Sequence, residues 1–251
     1  MKKIKYIMMV IFFMSMAVTS MGASGKMISY KIGNNVYEGY YSINKSPEAP
    51  LVLIIHDWDG LTDYEIRRVE MLADLGYSVF AMDLFGAGIR PTEVKDRRQH
   101  TGELYADRQK MRSLMLGALE VARLKGGNIH NAVAMGYCFG GAAALEFARS
   151  GINLKGFVTF HGGLSTPEGQ DYSKTKGEIL VLHGTADANI SMDDFAKLAV
   201  ELEDKGISHE MITYSGAPHA FTVFDSPSYR KETDEKSWKR FIEFLDENLN
   251  K

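Results

Sequence analysis

The stretch GYCFGG at residues 136–141 decides the fold of this chain. It follows an apolar run at Ala132–Gly136 that predicts a buried strand, and it leads into a helical pattern at Gly140–Ser150. A G-x-C-x-G-G sequence between a strand and a helix is the pattern of a nucleophile elbow, with cysteine where serine is commoner. The flanking glycines let the strand and the helix approach closely, so the turn presents Cys138 at the top of a sheet.

The chemistry expected at this turn is that of a reactive thiol. The positive end of the following helix helps to stabilise a thiolate. The backbone amide of Phe139, directly after Cys138, is placed to donate a hydrogen bond to an oxyanion. The alternative is a buried structural cysteine beside a pair of glycines that pack two elements together. The strand–turn–helix context favours the nucleophile.

The rest of the chain alternates strands with helices. Apolar or alternating runs predict strands at Met27–Ile32, Asn35–Tyr41, Leu51–His56, Ser78–Asp83, Ala132–Gly136, Gly156–His161, Ile179–His183 and His209–Tyr214. Helical spacing predicts helices at Asp63–Leu75, Glu103–Lys125, Gly140–Ser150, Met192–Lys205 and Pro227–Leu249, and the polar segment Leu84–Gly102 is predicted as a loop. Such alternation indicates right-handed crossovers and a mostly parallel sheet. We predict one α/β domain over residues 23–251, a three-layer sandwich with helices on both faces of the sheet.

Two loops that follow predicted strands carry an acid and a histidine. The strand Ile179–His183 leads to Asp187, and the strand His209–Tyr214 leads to His219. Because the carboxyl ends of parallel strands meet at one edge of a sheet, we expect both side chains beside Cys138. Asp187 would orient the imidazole and His219 would move protons. Taken singly, Asp187 could be a helix cap and His219 a surface residue, but the chain order of all three favours a triad.

Other strand ends supply further candidates. The backbone amide of Trp58, in the HDWDG segment at residues 56–60, is expected to complete the oxyanion hole, and a turn with an Asp cap is compatible with that role. The imidazole of His161 could line the pocket, or could be packed or hydrogen-bonded inside the protein. The histidines lack the spacing of a zinc site, and no nucleotide-binding fingerprint occurs, so no metal or organic cofactor is predicted.

Together, three segments resemble the dienelactone hydrolase family of α/β-hydrolases: GYCFGG, the HGTAD loop at 183–187 and the PHAF loop at 218–221. The similarity covers roughly residues 27–249 and includes DLFG at 83–86 and LYADR at 104–108. It implies an α/β-hydrolase fold and an enzyme that opens an enol-lactone ring without a cofactor.

The resemblance also assigns roles to single residues. It implies a triad of Cys138, Asp187 and His219. It places the two oxyanion amides at Trp58 and Phe139.

In this family a glutamate holds the resting thiol neutral, and the matching residue here is Asp57, one methylene shorter. The family's type enzyme grips its substrate carboxylate with two arginines, whose positions fall near Ala87 or Gly88 and at Val223. Because none of these is arginine, we expect neutral esters or lactones to be hydrolysed at least as well as carboxylated ones. Arg90 is the candidate substitute, and a solvent-exposed Arg90 is the alternative.

The N-terminal residues 1–22 are predicted to be a secretory signal. Lysines near the start precede an uncharged, mostly apolar run at Tyr6–Val18, and small residues around Gly22 offer a cleavage site. The run is shorter than the roughly 20 residues that a membrane-spanning helix needs. We predict export to a bacterial periplasm or to the outside, with no membrane association after cleavage. An uncleaved anchor and a core helix are the alternatives.

Composition restricts the possible functions. The chain has 251 residues, of which 45% are hydrophobic and 24% charged, and its formal charge of −3 offers no basic surface for nucleic acid. Its single cysteine excludes an internal disulfide and a cysteine-rich zinc site. We predict a hydrolase that cleaves a small-molecule ester or lactone through an acyl-thioester, as a monomer or small homo-oligomer. The alternatives are a non-catalytic small-ligand binder on the same fold and an acyl-transfer or thiol redox protein.

Overall fold

A computed structural model describes residues 25–250, so the predicted signal segment lies outside the described residues. The strands in this range are β1 (Lys26–Ile32), β2 (Asn35–Ser42), β3 (Pro50–Ile55), β4 (Ser78–Met82), β5 (Asn128–Tyr137), β6 (Gly156–Phe160), β7 (Glu178–Gly184) and β8 (His209–Tyr214). The helices are α1 (Asp63–Asp74), α2 (Val94–Ala106), α3 (Arg108–Leu124), α4 (Phe139–Arg149), α5 (Met192–Asp204) and α6 (Lys231–Leu249). None of these helices is long and apolar enough to cross a membrane.

These strands form one sheet in the order β1-β2-β4-β3-β5-β6-β7-β8. Strand β2 runs antiparallel to β1 and β4, whereas all neighbours from β4 to β8 are parallel. The predicted α/β architecture with a mostly parallel sheet is therefore confirmed. The carboxyl ends of the parallel strands share one edge, where the loops after β3, β5, β7 and β8 meet.

Strand β3 shows why the central strands are unbroken apolar runs. Leu51, Leu53 and Ile55 face a core that also contains side chains of α3, α4 and α5. Val52 and Ile54 point to the opposite face, into a core shared with α1 and α6. Both faces of the sheet are covered by helices, so successive residues of the strand are all apolar. A strand with one face in solvent would instead alternate apolar and polar residues.

The prediction of a loop over Leu84–Gly102 is wrong for residues 94–102, which form the start of α2. Only Thr101 and Leu104 of this helix are buried, so its sequence carries no apolar stripe from which to predict it. The Nε of Arg97 donates to the carbonyl of Pro91 at 2.9 Å and the Thr101 hydroxyl donates to the Arg97 carbonyl, so side-chain bonds hold the first turns.

Two predicted helix boundaries are also wrong. The single helix predicted at Glu103–Lys125 is broken at Asp107, whose Oδ1 accepts a hydrogen bond of 2.8 Å from the Lys110 amide and caps α3. The last helix begins at Lys231 rather than Pro227, because the preceding residues turn through backbone hydrogen bonds such as the 3.1 Å bond from the Tyr229 amide to the Ser226 carbonyl.

Candidate active site

Cys138 occupies a sharp turn between β5 and α4. Its backbone has φ 50° and ψ −111°, a strained combination that a non-glycine residue rarely adopts, and its amide donates to the Phe160 carbonyl at 3.0 Å. A Cβ on Gly136 would lie 2.2 Å from the Gly140 backbone, and one on Gly140 would lie 2.1 Å from the Ile55 carbonyl oxygen. The close approach of strand and helix predicted from the glycine spacing is thereby confirmed.

The structure brings Asp187 and His219 together with Cys138. The Nε2 of His219 lies 3.1 Å from the Sγ of Cys138, and its Nδ1 lies 2.7 Å from the Oδ2 of Asp187. The other carboxylate oxygen, Oδ1, accepts hydrogen bonds from the amides of Asn189 at 2.8 Å and Ile190 at 3.0 Å. The thiol, imidazole and carboxylate thus form one continuous chain of contacts, in which the imidazole can exchange a proton with the thiol while the carboxylate orients the ring.

The environment of Asp187 keeps it ionised. Burial would raise the pKa of this carboxyl, but the hydrogen bond and charge of His219, with the amides of Asn189 and Ile190, outweigh it and hold the pKa below its usual range. A carboxylate in this position fixes the tautomer of the imidazole by accepting from Nδ1.

The resting thiol is held in its neutral form. Burial raises the pKa of Cys138 well above its ordinary value, and the charge of Asp57 and its hydrogen bond with the thiol raise it further. Burial, with the neighbouring charge of Asp59, raises the pKa of Asp57 to about 6. Near neutral pH the site therefore holds an Asp57 carboxylate against a protonated Cys138.

Replacing Asp57 by asparagine should expose the thiol to alkylation. The change removes the charge that disfavours the thiolate, and one pKa unit corresponds to about tenfold more thiolate. Iodoacetamide labelling of Asp57→Asn should therefore be about tenfold faster than labelling of the wild type near neutral pH. The ratio should approach one below the Asp57 pKa of about 6, because the wild-type carboxyl is then also neutral.

The control for this measurement is Asp193→Asn, which removes a charge from an exposed residue at the start of α5. It should label at the wild-type rate. Fast labelling of the wild type that Asp57→Asn leaves unchanged would show that Asp57 does not restrain the thiol.

The two amides expected to form an oxyanion hole both belong to residues at the site. The amide of Phe139 faces the sulfur, and its hydrogen bond favours the thiolate. The amide of Trp58 donates a short hydrogen bond to the carboxylate of Asp57. In the resting state this second donor is therefore already occupied.

A buried glutamate that the sequence reasoning missed supports this loop. The Oε1 of Glu65 accepts from the Asp57 amide at 3.2 Å, and Oε2 accepts from the Thr62 amide and hydroxyl at 2.8 Å. Burial raises the pKa of Glu65 to about 8. The T-x-x-E spacing of Thr62 and Glu65 is a capping-box signature, so this residue was within reach of sequence analysis.

A cavity of about 480 Å³ opens in front of the thiol. Its lining consists of Asp57, Trp58, Arg98, Tyr105, Cys138, Phe139, Gly163, Asn189, Ile190, His219, Ala220 and Ser228. Arg98 and Tyr105 come from α2, and Arg98 is solvent-exposed and forms no ion pair with any described residue. No group of three or more His, Cys, Asp or Glu side chains within residues 25–250 could hold a metal ion.

Two candidates from the sequence lie outside this lining. Arg90 donates to the Oε2 of Glu38 at 3.1 Å and to the Ile89 carbonyl at 2.8 Å, so the prediction of Arg90 as a pocket residue is wrong. Its ion-pair partner Glu38 belongs to β2. His161 is fully buried with its Nε2 2.8 Å from the Oγ1 of Thr222, so the hydrogen-bonded alternative is the one observed.

The mostly parallel sheet and the cysteine elbow define an α/β-hydrolase. The model of the dienelactone hydrolase family matches residues 37–249, which is most of the chain. The chain belongs to the dienelactone hydrolase family and is a hydrolase.

Individual relatives agree with this assignment. A protein of Saccharolobus solfataricus named "putative carboxymethylenebutenolidase" is 31% identical over 240 residues, covering 80% of this chain and 91% of its own length. A protein of the same name from Escherichia coli K12 is 26% identical, with 85% and 83% covered. The crystal structure of a dienelactone hydrolase-like promiscuous phosphotriesterase from metagenomic libraries superposes with a TM-score of 0.82 at 26% identity, covering 90% of this chain and 98% of that one.

Proposed function

We propose that this hydrolase cleaves a carboxylic ester or lactone with Cys138 as its nucleophile. The observation that carries the proposal is the unbroken chain from Sγ through the His219 imidazole to Asp187, with contacts of 3.1 and 2.7 Å, at the wall of a cavity. The family implies small-molecule esters or lactones as the substrate class.

In the first half of the reaction the thiol becomes acylated. His219 takes the proton from Cys138 as Sγ forms a bond to the substrate carbonyl carbon. The carbonyl oxygen then carries a negative charge, which the amides of Phe139 and Trp58 stabilise. The Trp58 amide donates to the Asp57 carboxylate in the resting state, so it must exchange that acceptor for the oxyanion. When the carbon–oxygen bond breaks, His219 returns the proton to the leaving oxygen.

In the second half, water releases the acyl group. His219 removes a proton from a water molecule as its oxygen attacks the thioester carbonyl, and the same two amides hold the second oxyanion. The carbon–sulfur bond breaks, the proton returns to Cys138, and the carboxylic acid leaves. Asp187 holds the imidazole in the required tautomer throughout.

A screen of p-nitrophenyl esters and enol-lactones with the protein from residue 23 onward tests this proposal. Turnover together with a covalent acyl adduct on Cys138, detected by mass spectrometry, would support it. Binding without turnover would favour a non-catalytic binder. Product that forms only with an added alcohol or amine would favour an acyltransferase.

Arg98 leads to a prediction about substrate charge. Sequence alone led us to expect no advantage for carboxylated substrates, but this guanidinium at the cavity supplies a cation without an ion-pair partner in residues 25–250. We expect Arg98→Ala to lower kcat/KM for a free-acid enol-lactone by about threefold to fivefold, a small effect because exposed charge pairs are weak. The kcat/KM for its methyl ester should not change.

Two variants separate this effect from a general loss of charge. Arg98→Lys should retain most of the preference, and Arg90→Ala should leave it unaltered because Arg90 pairs with Glu38 outside the cavity. An equal loss for the acid and the ester in Arg98→Ala would contradict a role in charge recognition.

We also propose that the protein is exported and that residues 1–22 are removed. The support is the order of lysines, apolar run and small residues at the N-terminus. Intact mass of the protein recovered from the periplasm or medium tests this, and a retained segment would argue against cleavage.

A further inference from the structure

A buried chain of polar groups lies behind His219. Its centre is Thr222, which follows His219 by three positions and is fully buried. The Oγ1 of Thr222 lies 2.8 Å from the Nε2 of His161 and 2.7 Å from the hydroxyl of Tyr64. A single hydroxyl thus joins the histidine loop to the end of β6 and to helix α1.

The same residue is held a second time through its backbone. The Nη2 of Arg68 donates to the Thr222 carbonyl at 2.9 Å and to the Oδ1 of Asp234 at 2.5 Å. The guanidinium is buried between the rings of Phe224, at 4.3 Å, and Trp238, at 4.9 Å. A buried ion pair enclosed by aromatic rings holds its surroundings rigidly, because moving one partner would leave the other charge buried without a counter-charge.

Arg68 also contacts the tyrosine of this network. The Nε of Arg68 lies 3.4 Å from the Tyr64 hydroxyl oxygen, and a guanidinium can only donate. The Tyr64 and Thr222 hydroxyls can each donate or accept, so Thr222 can pair with Tyr64 and with the Nε2 of His161 at the same time. In either ring tautomer the Nε2 of His161 has Thr222 as its partner, whereas its Nδ1 has no hydrogen-bond partner among the described residues.

The ring of His161 packs directly against the ring of His219. The two rings meet edge to face, with centroids 5.2 Å apart and planes at 67°. Burial, then the charges of His219 and Arg68, lower the pKa of His161 well below its usual value. His161 can therefore pack against His219 without repelling the proton that His219 takes up during the reaction.

The backbone between His219 and Thr222 contains a residue in an unfavourable conformation. Ala220, directly after His219, has φ 60°, in the left-handed region that a residue with a Cβ occupies at a cost of about 1–3 kcal/mol. Residues in this conformation persist only where the surrounding structure holds them. Thr222, which is bonded through both its hydroxyl and its carbonyl, lies two residues further on.

We propose that Thr222 is a positioning residue for His219. Its hydroxyl, between Tyr64 and His161, and its carbonyl, on Arg68, hold loop 218–222 so that the imidazole lies between Asp187 and Cys138. This inference rests on the proposed function, because it assigns Thr222 to the hydrolytic reaction of that site.

The first test replaces the hydroxyl by a methyl group of similar size. Thr222→Val should lower kcat by at least about tenfold, because small misplacements of a catalytic group can cost up to about a hundredfold. KM should stay within about twofold, since Thr222 does not line the cavity. Thr222→Ser restores the hydroxyl and should recover most of the lost rate.

The second test asks whether the effect passes through His219. Thr222 and Asp187 both orient the same imidazole, so the losses in Thr222→Val and Asp187→Asn should be less than additive when combined. Fully additive losses would indicate a general structural defect and would overturn the inference.

A matched pair of tyrosine variants covers the case in which Thr222→Val fails to fold. Tyr64→Phe removes a hydroxyl from the network and should lower kcat. Tyr172→Phe removes another tyrosine hydroxyl that contacts an arginine, 2.6 Å from Arg149, and should leave kcat unchanged. Equal activity of Tyr64→Phe and wild type would count against the network.

A crystal structure of Thr222→Val, or of Tyr64→Phe if the first does not fold, separates this inference from the proposed function. The His219 imidazole should be displaced from its 3.1 Å contact with Sγ. An unmoved ring would overturn the positioning role whether or not the protein hydrolyses esters. Loss of the proposed function would instead appear as a wild-type protein without esterase or lactonase turnover.

Discussion

Replacing Cys138 by alanine should abolish ester hydrolysis, with a loss in kcat of about 10³-fold or more. The variant removes the only atom at the site that can form the acyl-thioester. His219→Ala should cost as much, because in the proposed reaction the thiol loses its proton to Nε2, which lies 3.1 Å from Sγ. Triad members act as a unit, so the double variant should be scarcely worse than either single one.

Asp187→Asn should leave a trace of activity. The amide keeps the shape of the side chain, but it loses the charge that holds Nδ1 of His219 protonated at 2.7 Å. Initial rates on a p-nitrophenyl ester, with the far-ultraviolet circular dichroism of each variant, are the measurements. Asp193→Asn, a carboxylate removed from the exposed surface, serves as the control. A wild-type rate in Cys138→Ala would refute the covalent mechanism.

Gly140→Ala should destabilise the protein by about 3 kcal/mol or more, or prevent folding altogether. Its Cβ would lie 2.1 Å from the Ile55 carbonyl oxygen and 2.6 Å from that of His56, and both are backbone atoms of the strand β3 region. A flexible side chain could move aside, but here α4 would have to shift away from the sheet. Urea unfolding, or the soluble yield if the variant does not fold, measures the effect.

Gly102→Ala is the matched control for this experiment. Gly102 lies within α2, has no atom within 4 Å of an added Cβ, and does not have a positive φ. Alanine there should be neutral or stabilise the protein by up to about 1 kcal/mol, because it favours helix. Similar stability of the two variants would show that the elbow tolerates a side chain and that its close packing is not required.

The difference between α4 and α2 explains which elements could be predicted. Helix α4 is buried along its whole length and follows a glycine pattern that only one local geometry satisfies. Helix α2 buries only Thr101 and Leu104, so its sequence has no periodic pattern of apolar residues. Neither the helix nor the face that it directs to the cavity could therefore be predicted. Arg98 was missed, and Arg90 chosen instead, for that reason.

The amino-acid sequence was sufficient for the parallel sheet, the elbow and the placing of Asp187 and His219 beside Cys138. These features follow from local periodicity, glycine spacing and the rule that parallel strands share one carboxyl edge. Only the folded chain reveals that Arg98 lines the cavity and that Thr222 joins Tyr64 to His161, contacts across 158 and 61 positions of sequence. Such contacts depend on how helices and strands pack against each other in the folded chain. The sequence pattern of a single helix or strand does not determine which distant side chain it will contact.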